Sequence, residues 1–240
     1  MTRIFILILS LLYGSANAAI MTLHGDDIKF TFDDASLYGS ASVISNTIFF
    51  TPTQFKAEAL NDSGGAVNTS AFLNITIEIT SFGHAINGFQ FLENGDYKMN
   101  GDDTTVSADG RLSIDSLTSG FSDSVSFSAG PLTIQDALLH SWSANATIDL
   151  ADTPGWVMDS KVNMELGNTL SAESGNFGET AFIEKKFAGS AVGVTTTIVP
   201  VSEPPSLLLF GLALVLMGWM HRIVHRSRSQ ASNAILLACT

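Results

Sequence analysis

The sequence predicts an all-β protein, an antiparallel β-sandwich of jelly-roll or immunoglobulin-like type, followed by one C-terminal transmembrane helix. Three observations predict it. Apolar and polar residues alternate over short segments, turn-forming residues separate those segments, and apolar runs flanked by arginine stand near both ends of the chain. No stripe of helical period runs for a useful length between residues 20 and 199.

The first element is the stretch MTRIFILILSLLYGSANA. Arg3 and the terminal amine make a positive start, residues 4–13 are apolar, and Ala16-Asn17-Ala18 gives a small-x-small cleavage pattern. As a helix the apolar part reaches only ~15 Å, too short for a ~30 Å hydrocarbon core. Residues 1–18 are therefore read as a secretory signal peptide. It engages the Sec translocon and is cut by signal peptidase after Ala18, with Ala16 and Ala18 as the small residues of the cleavage site.

Residues 19–199 form the sandwich domain. Its clearest strand is Leu73-Asn74-Ile75-Thr76-Ile77-Glu78-Ile79-Thr80. Odd positions are aliphatic and even ones polar, so an extended chain turns one face to a core and the other to water. Further strands are expected over 28–32, 45–51, 55–60, 88–92, 111–114, 124–127, 144–150, 156–164, 181–187 and 192–199. Turns are expected at Asn61-Asp62-Ser63-Gly64-Gly65, Asn94-Gly95-Asp96, Asn100-Gly101-Asp102, Asp109-Gly110 and Gly167-Asn168, because Asn-Gly and Asp-Gly favour hairpin geometry. The chain holds sixteen Phe, which suit a pleated surface. Trp142 and Trp156 are read as core or rim residues, with carbohydrate stacking the less common use of such side chains.

Charge narrows the function. The chain carries 11 Lys and Arg against 23 Asp and Glu, a formal net charge of −12. Arg3, Arg222, Arg226 and Arg228 lie in the terminal segments, so the body keeps seven basic against twenty-two acidic residues once Glu203 is set aside. A surface of that sign excludes phosphate-backbone contact, and no nucleic-acid partner is expected. The single cysteine, Cys239, rules out an intrachain disulfide and a thiolate metal cluster.

No catalytic motif appears: there is no G-x-S-x-G elbow, no S-x-x-K and no glycine-rich phosphate loop. Asp96, Asn100, Asp102 and Asp103 crowd one stretch, as do Asp26-Asp27 and Asp33-Asp34. Calcium takes such oxygen ligands, but the spacing is that of hairpin turns and strand ends rather than of an EF-hand loop. His24, His84 and His140 lie far apart without metal-ligand spacing. No metal and no cofactor is expected. Asn61, Asn68, Asn74 and Asn145 begin N-x-S/T sequons. The domain is read as non-catalytic, a matrix or adhesion component. The alternatives are an extracellular hydrolase, whose paired carboxylates are set by geometry and not by spacing, and a calcium- or carbohydrate-binding module.

The end of the chain gives an address. Residues 200–206 form a Pro-containing linker, VSEPPS preceded by Pro200, and residues 207–225 an apolar run. As a helix that run is ~28 Å long, just enough to span when Arg222 snorkels to the headgroups. Arg222, Arg226 and Arg228 form a membrane-retention basic cluster. The positive-inside rule keeps that cluster and the tail 226–240 in the cytoplasm and the acidic domain outside. The order of Ser202-Glu203-Pro204, short apolar helix and arginine cluster resembles the PEP-CTERM protein-sorting tail of Gram-negative bacteria that make exopolysaccharide. FFTPTQFKAEAL and GFQFLENGDYKMNG are similar to phrases in proteins bearing that tail. The resemblance implies an exosortase, a membrane peptidase cutting near the Pro-Glu-Pro motif, as partner. Membrane lipid holds the helix beforehand, and the cell surface or extracellular matrix is the destination.

Overall fold

The computed structural model describes residues 20–33, 37–156 and 159–196. They all lie within one compact unit, residues 1–197. The described residues hold twelve strands and no helix: β1 (Ile20–His24), β2 (Ile28–Asp33), β3 (Ser40–Ile44), β4 (Thr47–Thr51), β5 (Lys56–Leu60), β6 (Val67–Ile79), β7 (His84–Asn100), β8 (Thr104–Ser116), β9 (Ser122–Ser128), β10 (His140–Asp149), β11 (Lys161–Ser174) and β12 (Thr180–Thr196). They build two antiparallel sheets. Sheet A runs β1-β2-β6-β11-β8-β9, and sheet B runs β10-β7-β12-β4-β3 with β5 also paired to β12.

The alternation read in 73–80 is realised in β6. Leu73, Ile75 and Ile77 are buried, while Asn74 is exposed. The same rule turns Val162, Met164, Leu166 and Leu170 of β11 inward, and Phe89, Phe91, Tyr97 and Met99 of β7. Residues from both sheets meet in one hydrophobic cluster, so each sheet buries its apolar face on the other. Trp142 and Trp156 belong to this packing. Trp142 is buried and donates its indole N–H to the Glu184 carbonyl at 3.1 Å. Trp156 donates to the Ile86 carbonyl at 2.9 Å and meets Phe121 edge-on.

Three expected turns are strand interiors. Asn94-Gly95-Asp96 lies within β7, Asp109-Gly110 within β8 and Gly167-Asn168 within β11. Their glycines make room rather than bend the chain. A Cβ on Gly95 would stand 1.9 Å from the Glu184 carbonyl oxygen, and one on Gly167 would stand 2.9 Å from the Phe72 ring. Asn100-Gly101-Asp102 does form the β7–β8 connection, with Gly101 at φ +121°. Residues 181–187 and 192–199 were expected as two strands, but 180–196 is one strand, β12, with register irregularities at Lys185/Phe187 and Gly193/Val194. Strands β1 and β3, outside the expected set, are short and expose alternate residues, with no fully buried position. β11 begins at Lys161, later than the expected start at 156.

Among the described residues no helix is long and apolar enough to cross a membrane. The signal residues Ala16 and Ala18, the motif Ser202-Glu203-Pro204, the run 207–225 and Arg222, Arg226 and Arg228 lie outside the described residues.

Candidate functional site

The outer face of sheet B carries an uncharged platform. The registers place it in rows across the strands. Phe49 of β4 pairs with Gly189 of β12, Gly189 with Leu92 of β7, and Leu92 with Asn145 of β10. In the next row Thr47 pairs with Ala191, Ala191 with Gln90, and Gln90 with Thr147. No side chain in either row is ionisable, although the body is strongly acidic.

The irregularity in β12 builds the platform. Before it, Ala181, Ile183 and Lys185 point inward; after it, Ala188, Ser190 and Val192 do. One extra residue switches the parity of the strand and turns Phe187 outward. There its ring meets Phe49 at 5.8 Å between centroids, tilted by 43°. Gly189 lies beneath, and a Cβ there would stand 2.9 Å from the Phe187 ring and 3.1 Å from Phe49. The two half-buried rings and the bare backbone between them line an open groove of about 470 Å³, edged by Gln90, Asn145 and Thr147. Flat apolar rings beside amide and hydroxyl groups can hold a neutral polyol ring: its C–H face lies on the aromatics and its hydroxyls reach the edge.

The interior side of the same irregularity holds a polar centre. Lys185 Nζ donates to Glu93 Oε2 at 2.6 Å, and both side chains are fully buried. The ammonium sits 4.6 Å from the Phe55 ring centre and 5.1 Å from that of Tyr38. The Tyr38 hydroxyl donates to Asn168 Oδ1 at 2.6 Å and to the Leu166 carbonyl at 3.2 Å. The centre thus draws Asn168 from sheet A and Glu93 and Lys185 from sheet B. Glu93 Oε1 and Asn168 Nδ2 are buried without an aligned hydrogen bond. Burial pushes the Glu93 carboxyl up, and Lys185 and the nearby Asn168 amide offset that only in part. Burial brings Lys185 down to about 8 against the pull of Glu93.

Sequence reading missed this centre. Its signal was a charge on the apolar phase of a strand: Glu93 continues Phe89 and Phe91, and Lys185 continues Ala181 and Ile183.

Of the acidic residues singled out in the sequence, Asp96 lies inside β7 and Asp27, Asp102 and Asp103 lie in connections. Asp96 pairs with Lys186 and accepts from Ser141 at 3.2 Å. The Asp103 backbone N–H donates to Glu179 Oε1 at 3.3 Å. Asp27 holds Asn46 and Ser81 at 3.1 and 2.9 Å, and their hydrogen bonds lower its pKa. Among the described residues no three His, Cys, Asp or Glu side chains gather as a metal site. His24, His84 and His140 stand in β1, β7 and β10; His140 pairs with Asp136 at 2.7 Å.

No protein-family model and no curated protein matches the chain. Among solved structures, the enzymatically active domain of bacteriophage CBA120 tailspike protein 4 overlaps it at 11% identity and a TM-score of 0.19. That overlap covers 70% of this chain and 19% of that one. A family 29 carbohydrate binding module overlaps at 10% identity and a TM-score of 0.17, covering 73% and 86%. This chain spans about a fifth of the tailspike domain's length. Likenesses this slight carry no weight for function.

Proposed function

We propose that the protein is an exported, non-catalytic surface or matrix module whose sheet B lies against neutral polysaccharide. The observation that carries this reading is the uncharged Phe49–Phe187 groove on an otherwise acidic body. Charged side chains would favour an ionic ligand. Rings, amides and hydroxyls side by side on one sheet face favour an extended neutral chain of sugars. Native electrophoresis of the full-length protein through gels containing neutral or anionic polysaccharide tests the reading. Retardation by neutral polysaccharide alone supports it, and equal mobility in all gels overturns it.

Delivery follows from the two ends of the chain. The signal peptide directs export, the run 207–225 holds the domain outside the membrane, and Arg222, Arg226 and Arg228 stay within the cytoplasm. Proline at 204 and 205 disfavours helix in the residue before each, which suits a peptidase substrate, and Glu203 is its charged handle. An exosortase then cuts near Ser202-Glu203-Pro204. Mass spectrometry of the mature C-terminus in hosts with and without exosortase checks this step. A chain still ending at Thr240 in the exosortase-bearing host contradicts it.

A further inference from the structure

We propose that Lys185 and Asn168 join through an intramolecular isopeptide bond, formed inside the core with Glu93 as proton carrier. The inference is independent of the glycan reading. It rests on geometry: the Lys185 amine touches the Glu93 carboxyl at 2.6 Å, and Tyr38, whose ring centre lies 5.1 Å from that amine, donates to the Asn168 carboxamide at 2.6 Å.

The arrangement is costly as it stands. A fully buried ion pair recovers its desolvation only with every lone pair and proton matched, and here Glu93 Oε1 and Asn168 Nδ2 are not. Transfer of a proton from Lys185 to Glu93 removes both charges. Burial favours that transfer, lowering the pKa of Lys185 and raising that of Glu93.

The neutral Nζ then carries a free lone pair. Its attack on Cγ of Asn168 forms the new C–N bond and pushes the carbonyl electrons onto Oδ1. Tyr38, whose hydroxyl already donates to Oδ1 at 2.6 Å, stabilises that oxyanion. Glu93 gives its proton to Nδ2 and takes one from Nζ. The Cγ–Nδ2 bond breaks and ammonia leaves. An amine and a primary amide become a secondary amide and ammonia, and Glu93 ends protonated as it began the attack. The unmatched Nδ2 is the atom expelled.

Water would compete with Nζ for Cγ and leave aspartate instead, and the buried rings of Phe55 and Tyr38 keep it from the amine. Ammonia has a way out, because Asn168 lies against an open depression of about 280 Å³ left by Gly110 and Gly167. The bond ties β11 of sheet A to β12 of sheet B, a covalent staple in a chain whose one cysteine cannot form an internal disulfide.

The full-length protein, denatured and weighed whole, tests this. The expected mass is lower than calculated by one ammonia in essentially every molecule. Protease digestion then yields a branched peptide joining residues 168 and 185, and trypsin no longer cuts after Lys185. Lys185→Met and Glu93→Gln are expected at full mass without the branched peptide. A wild-type protein at full mass, with cleavage after Lys185, overturns the proposal whether or not either variant folds. Ammonia loss without the branched peptide overturns it too, and a branched peptide in Glu93→Gln removes Glu93 from its role.

Discussion

Both sheets carry ion pairs outward, Lys186 with Asp96 on sheet B among them, but among the described residues sheet B alone also buries one. Sheet A carries ion pairs outward: Lys29 and Lys161 flank Glu78 across three strands at 3.2 and 3.3 Å, about a third exposed or more. Sheet B carries Glu93 and Lys185 inward and leaves the middle of its outer face uncharged. The same chemical pair is a solvated ornament on one sheet and a high-energy centre in the other. The neutral platform and the buried pair have one origin in sheet B. The irregularity at Lys185/Phe187 sends a lysine in and a phenylalanine out within three residues.

The largest effect that sharpens this contrast is in stability. Glu93→Ala leaves Lys185 buried without its counter-charge and without its proton carrier for the cross-link, and is expected to cost about 3–5 kcal/mol in urea unfolding. A cost near that of a surface pair would erase the distinction between the sheets.

A smaller effect is expected at Asp159, a buried charge met by hydroxyls instead of a counter-charge. It accepts from Ser116, from Thr118 at 2.5 Å and from Ser119 at 2.6 Å. Burial works to raise its pKa, but these hydroxyl donors outweigh it and hold the carboxyl below the ordinary 3.8. A depressed folded pKa gives stability that is complete above that ordinary value and is lost as pH falls through the folded one. Asp159→Asn is expected to cost about 1.5–3 kcal/mol at neutral pH and to flatten the acid limb of the stability curve. An unchanged acid limb contradicts this account.

Much of the fold was legible because alternation is a local property. The face of β6 could be read from Leu73, Ile75 and Ile77 without knowing what lies opposite. The platform was not legible, because it depends on a one-residue shift in pairing between β12 and β7. Phe187 has the same phase as Ala181 and Ile183 in the sequence, and only the irregularity reverses it. Glycines misled for a related reason. Asn94-Gly95 and Gly167-Asn168 carry the composition of turns, yet close approach of a neighbouring carbonyl or ring is what demands glycine there. Asn168 itself looked like a turn residue and lies in the core.

A further contrast is in binding. Phe49→Ala with Phe187→Ala is expected to weaken polysaccharide binding by about tenfold or more, since each removes an aromatic anchor, while far-UV circular dichroism stays unchanged. The smallest effect is expected at Glu78→Ala on the opposite sheet. It should cost at most about 1 kcal/mol, as exposed pairs do, and leave binding as it was.

The most direct test is calorimetric titration of neutral polysaccharide into the full-length wild type and the Phe49→Ala/Phe187→Ala variant, at low and high salt. An uncharged aromatic face predicts wild-type affinity that is insensitive to salt and about tenfold or more weaker in the double variant. Affinity that falls with salt, or that survives loss of both rings, contradicts it.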